Sequence, residues 1–131
     1  KPDTGTTKDI PLPNSGVEIT SAEQRDGETF YTVHDLRNDK VVPNVTRSSS
    51  RSLWRYAITQ RQDKTFDPNK VEWQGKYGVV GCRKQGNVYR YDLAYRGNGN
   101  EETRVFYGVT QKGLDRDWKA AIKNSSFGDE S

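Results

Sequence analysis

The sequence predicts an α+β domain built on an antiparallel β-sheet: two N-terminal strands, one helix, a β-meander of three to four strands and a short C-terminal helix. Three observations carry this. "ETFYTVHDL" (28–36) alternates at period two and is rich in β-branched and aromatic residues. From Ser48 the period changes, with Leu53, Trp54, Ala57, Ile58 and Arg61 at helical spacing. After that helix, period two returns in four short runs broken by Gly and Asn. A helix followed by strand hairpins also fits a winged-helix-like topology, although only one helix precedes the hairpins here.

Taken in order, "GVEITSAEQ" (16–24) is compatible with a short strand ahead of "ETFYTVHDL". "RNDK" then reads as a turn, since Asn38 and Asp39 tolerate left-handed backbone, and "KVVPNV" returns as an edge strand because Pro43 has no amide to donate. Hydroxyl side chains ahead of Leu53 can cap a helix that ends near 60–63, before Pro68. The meander consists of "VEWQG", "KYGVVGCRKQ", "NVYRYDLAYR" and "TRVFYGVTQ". In its third run Tyr89, Tyr91, Leu93 and Tyr95 share one face, and Arg90, Asp92, Ala94 and Arg96 share the other. "LDRDWKAAIK" places Leu114, Trp118, Ala121 and Ile122 on one stripe, with Asp115 and Asp117 near the helix start, where anions are favoured. Trp54 and Trp118 are both expected in the core.

The 131 residues suit one domain, expected over 17–123, with solvated segments at 1–16 and 124–131, which are rich in Pro, Gly, Ser, Thr and Asp and poor in core formers. A chain that starts at Lys1 and lacks Met suggests a domain of a larger protein. There is no apolar run near membrane-spanning length, so no membrane partner is expected. A single cysteine, Cys82, permits no internal disulfide and points to a reducing compartment, nuclear or cytoplasmic. Two sequons, at Asn44 and Asn124, point the other way but arise readily by chance.

The net charge of +3 is unevenly spread. Residues 1–36 hold three basic against seven acidic side chains, 37–61 hold six against one, and 62–131 hold twelve against ten. A positive stretch of that kind is the footprint expected for a polyanion. Within it, Arg47, Arg51 and Arg55 fall at about 120°, 160° and 200° on a helical wheel with Leu53 at zero, along one border of the apolar face. Stems there can cover the core edge while the guanidinium groups point outward. Ser48 and Ser49 would add hydroxyl and amide donors at the positive end of the helix, and both devices bind phosphate. No acidic residue stands between Lys40 and Gln62 to pair with these arginines. Arg83, Lys84 and Lys119 are expected to form a second contact line.

The alternative partner class is a protein or peptide. Aromatic residues on a small sheet, chiefly Trp73 and Tyr77 with Glu72 nearby, could frame a cage in the manner of a chromatin reader. The same rings could instead be sheet core, or could stack bases of single-stranded nucleic acid. Catalysis is not expected. One histidine, His34, and one thiol, Cys82, lie in no catalytic motif, neither a Walker A nor a dinucleotide-binding glycine pattern is present, and no metal or cofactor is expected. "DRDWKAAI" resembles the KDWK segment of SAND DNA-binding domains over eight residues: Asp117, Trp118 and Lys119 match in type, and Arg116 stands where the first Lys would be. That resemblance implies DNA contact near Lys119 and assigns no fold. The expectation is therefore a non-catalytic nucleic-acid-binding module, DNA favoured over RNA, that contacts the phosphate backbone through an Arg-rich helix.

Overall fold

The computed structural model describes residues 10–62, 67–97 and 103–128. Seven strands, β1 (Val17–Arg25), β2 (Glu28–Asp35), β3 (Lys40–Val45), β4 (Glu72–Gln74), β5 (Tyr77–Gln85), β6 (Val88–Tyr95) and β7 (Arg104–Val109), form one antiparallel sheet in the order β3-β2-β1-β7-β6-β5-β4. Helix α1 (Ser52–Gln62) lies between β3 and β4, and α2 (Arg116–Lys123) follows β7. The architecture is α+β but mostly sheet. The N-terminal group holds three strands rather than two, because 17–25 pairs along its length with β2 around an Asp26-Gly27 turn in which both residues have positive φ. The winged-helix arrangement is not confirmed: the β5–β6 hairpin is held between β4 and β7 inside the sheet.

Each half of the sheet is a run of sequence-local hairpins. Their seam is narrow, with β1 and β7 in register through the single pair Val17 and Tyr107. Gly16 makes that approach possible. A Cβ there would lie 2.5 Å from the Tyr107 carbonyl oxygen, and its φ of 90° is one that side chains avoid.

The two helices cover opposite faces. Beneath α2, Trp118, Ala121 and Ile122 pack on Val79, Tyr91, Leu93, Tyr95, Phe106 and Val109. Trp118 is fully buried and meets Tyr77 and Phe106 edge-to-face at 4.9 and 6.1 Å between ring centroids. Beneath α1, Ala57 and Ile58 pack on Val17, Ile19, Tyr31, Val33, Val45 and Tyr107. Trp54, expected in the core, is half-buried beside them, at the start of the helix.

The expected lead-in and tail both carry contacts where they are described. Trp118 donates its Nε1–H to the Pro11 carbonyl at 2.6 Å, Asn14 donates to the Gly113 carbonyl, and Ile10 packs on the α2 core. After α2, the backbone amide and hydroxyl of Ser126 donate to Glu72, and Phe127 packs on the same core. Residues 1–9 and 129–131 lie outside the described residues.

Candidate nucleic-acid interface

The approach to α1 differs from the sequence expectation in where the helix starts. The first helical residue is Ser52, so Arg47, Ser48 and Ser49, in a turn, and Arg51 precede the helix rather than standing on it, and of the three arginines only Arg55 is helical. Local hydrogen bonds build that turn: Ser50 donates both its amide and its hydroxyl to the Arg47 carbonyl, the Ser49 amide donates to Thr46 Oγ1, and the two hydroxyls of Thr46 and Ser49 lie 2.7 Å apart. Short hydroxyl side chains compete in this way for nearby backbone groups, which delays a helix even where its apolar spacing has begun. Ser49 is therefore engaged within the turn, while Ser48 remains exposed.

The three arginines of the expected stripe are exposed, yet each has a local contact. Arg47 folds back so that its Nε–H donates to Thr59 Oγ1 at 2.8 Å. Arg55 reaches over the turn and donates to the carbonyls of Arg47 and Ser50, at 3.3 and 2.6 Å. Arg51 stacks on Trp54, 5.0 Å from the ring centroid. Among the described residues none of the three has a carboxylate within 4.0 Å, whereas Arg37 and Arg104 do. Their charge is thus held in place and left unneutralised. A shallow groove of about 480 Å3 beside them is lined by Val42, Pro43, Ser49, Arg51 and Trp54, between the edge strand β3 and the helix start. A larger concavity of about 1090 Å3 lies at the far end of α1, between Gln60, Arg61, Tyr31 and Tyr107. Burial, with Asp92 near, pushes the Tyr107 hydroxyl up to about 12.

Of the second contact line, the structure brings only Arg83 to α1. Its guanidinium lies 3.7 Å from the centroid of the Tyr56 ring, and the Tyr56 hydroxyl donates to Asp92 at 2.5 Å. Burial raises the Asp92 carboxyl above its usual range, against the pull of Tyr56, the Gly108 amide and Arg83; burial, with Asp92 beside it, also raises the Tyr56 hydroxyl. Lys84, one residue on, points to the opposite face, 5.6 Å from the Tyr89 ring. Lys119 is exposed on α2, also on that opposite face. Lys84 and Lys119 therefore do not extend the α1 patch, since alternation along β5 and the side on which α2 packs turn them away.

Arg90 joins Arg83, and sequence reasoning missed it. It stands directly across from Arg83 in the β5–β6 register, donating to Gln85 Oε1 at 2.8 Å and to the Gly108 carbonyl at 2.7 Å. Burial, with Arg83 and Arg37 nearby, lowers the hold of Arg90 on its proton. The signal was present in the sequence: a hairpin centred on Gly86 and Asn87 places residues 83 and 90 opposite each other. Gly108, with a φ of 70°, lets Leu53 at the helix start come close to this strand pair, since a Cβ there would lie 2.3 Å from Leu53 Cδ1.

The alternative aromatic site does not assemble. Trp73 stands opposite Gly78, with its ring on that glycine and Arg96 stacked 4.3 Å from its centroid. Tyr77 belongs to the α2 core, edge-to-face with Trp118 and Tyr95, and Glu72 is bonded to Ser126. Residues 73 and 77 point to opposite faces, so no cage forms between them. The tyrosine row of β6 is likewise core, with Tyr91 and Leu93 fully buried. The segment likened to SAND domains has Trp118 buried and Lys119 exposed.

His34 and Cys82 are separate. The His34 ring lies between Glu18 and Asp39, with Nδ1 3.2 Å from Glu18 Oε1 and Nε2 2.8 Å from Asp39 Oδ1, while Arg104 donates twice to Glu18 at 2.7 Å. Cys82 sits on β5 against the α2 core, with three strands between it and β2, which is roughly 19 Å at the usual strand spacing. No protein-family model, curated protein or solved structure matches the chain.

Proposed function

We propose that this domain is a non-catalytic nucleic-acid-binding module that contacts the phosphate backbone, duplex DNA before RNA, through the start of α1. The observation that supports it is the unneutralised row of Arg47, Arg51 and Arg55, fixed by hydrogen bonds and by a stacked tryptophan but lacking a carboxylate among the described residues. Fixed guanidinium groups lose little freedom on meeting phosphate, and their planar donors suit its oxygens. Arg83, against Tyr56 from β5, stands apart from this row as a further cation on the α1 face. A lone cysteine suits the reducing nucleus or cytoplasm, where a larger parent protein would carry such a module to its ligand.

Fluorescence anisotropy with labelled duplex DNA and single-stranded RNA at two salt concentrations tests this. Binding falls steeply with salt, and Arg51→Glu reduces the salt slope by about one as one phosphate contact is lost. The pair Arg51→Glu with Arg55→Glu abolishes binding in a protein that circular dichroism shows to be folded. Binding indifferent to salt and to these substitutions would make α1 a structural helix and turn attention to a protein partner.

A further inference from the structure

Arg83 and Arg90 form a like-charge pair directly across two hydrogen-bonded strands, an arrangement that destabilises a sheet. Nothing about the hairpin requires it. Other long polar side chains would satisfy the Gly108 carbonyl and cover Tyr56, yet two guanidinium groups stand there, and both are held. Arg90 is fixed by Gln85 and the Gly108 carbonyl. Arg83 is fixed flat against the Tyr56 ring, and its Nε–H is buried with no hydrogen-bond partner among the described residues. A buried donor left unpaired is costly. Arg37, from the β2–β3 turn, has its Nε and one terminal nitrogen engaged by Asp35. Of the acids close by, Asp35 is taken by Arg37, and Asp92 is occupied by Tyr56 and the Gly108 amide.

We infer that Arg83 and Arg90 form the seat of a single doubly charged phosphate, that is a phosphomonoester such as the terminal phosphate of a nucleic-acid strand. The inference rests on the nucleic-acid reading for the choice of strand end over free phosphate. The geometry distinguishes this seat from the α1 row. Arginines spaced along a turn and helix follow a chain of singly charged diesters, whereas two guanidinium groups set opposite each other on paired strands suit concentrated charge at one point. The donors left for a monoester are the terminal nitrogens of Arg83 and those of Arg90 that the Gly108 carbonyl does not take.

The experiment compares one oligonucleotide carrying a terminal phosphate with the same strand ending in a hydroxyl, labelled at its other end. It uses the parent chain, Arg83→Gln and Arg51→Glu, and Arg90→Gln serves as the second seat variant if Arg83→Gln does not fold. Alongside, Tm is followed as inorganic phosphate is added. The parent binds the phosphorylated end about tenfold more tightly, Arg83→Gln loses that preference, and Arg51→Glu weakens both strands alike while keeping it. Phosphate raises the Tm of the parent and leaves Arg83→Gln unmoved. Equal binding of the two ends, with no Tm response to phosphate, overturns the seat and leaves the backbone reading standing. A phosphate-dependent Tm that survives in Arg83→Gln overturns it as well. If neither strand binds but phosphate stabilises the parent and not the variant, the seat holds as a free-phosphate site and the backbone reading falls.

Discussion

The two faces of the sheet are closed by helices of similar purpose and different chemistry. Under α2 the contacts are almost all apolar and aromatic, centred on Trp118, which is fully buried with its one polar atom answered by the Pro11 carbonyl. Under α1 the apolar set of Ala57, Ile58, Val17, Val33 and Tyr107 gives way toward β5 and β6 to Tyr56, Asp92, Arg83 and Arg90. The α2 face is optimised for packing. The α1 face gives up packing for a buried acid and for cations set over the sheet, a cost that stability alone does not explain. The difference separates a face built on rings and aliphatic packing from one that carries a buried acid and a set of cations.

Substitutions can break or sharpen that contrast. Trp118→Ala has the largest effect, about 3–5 kcal/mol of stability lost in urea unfolding, because an aromatic side chain leaves a cavity in the dry core. Asp35→Asn comes next, at about 1–3 kcal/mol near neutral pH, since Asp35 is buried and holds both the side chain and the amide of Arg37. Its pH dependence has a definite sign. The Arg37 side chain lowers Asp35 below 3.8, so its contribution is complete above that value and disappears as pH falls through the lowered folded value. Unfolding curves from roughly pH 2 to 5 show this slope in the parent and a shallower one in Asp35→Asn. Tyr56→Phe costs about 1–2 kcal/mol by removing a donor from buried Asp92. Asp92→Asn has the smallest effect, within about 1 kcal/mol at neutral pH. Burial raises Asp92, so its contribution is present below its ordinary range and is lost as pH rises through the raised value, the opposite sign to Asp35. If Asp92→Asn proved as damaging as Trp118→Ala, the α1 face would be as dependent on its polar cluster as the α2 face is on its rings.

Much of this fold is legible in the sequence, because period two and helical spacing are local signals. The four meander strands, both helices and the β2–β3 turn fall where alternation, Gly86-Asn87 and Asn38-Asp39 place them. The first strand was harder to read. Val17–Arg25 is exposed over its last six residues, so it lacks the apolar alternation that marks a half-buried strand. The site was legible in part. Charge distribution identifies the arginines before and on α1, but not that hydroxyl bonding would hold the helix back to Ser52, nor which face each side chain would take. Lys84 and Lys119 were grouped with Arg83 by composition and are separated by alternation and by the face that α2 covers. Trp73 and Tyr77 looked like neighbours along the chain, and a short hairpin put them on opposite sides. Arg90 required the register of β5 and β6, which is a tertiary fact written in a two-residue turn.

The narrow seam between β1 and β7 bears on how the molecule breathes. Strands β3-β2-β1 and β7-β6-β5-β4 are each laced by ordinary hairpin ladders, while a single register pair and the Glu18–Arg104 ion pair join β1 to β7. Such a boundary divides a sheet into units that open separately in amide exchange, with the seam amides exchanging before those inside either hairpin set. Helix α1 packs on both units, meeting the second through Tyr107, Gly108 and, by way of Tyr56, Asp92, while Arg83 and Arg90 belong to the second. A strand of polyanion lying on Arg51 and Arg83 together would bridge the two units like a stitch across a fold line, and its binding would register as slowed exchange at Val17 and Tyr107, which touch no ligand.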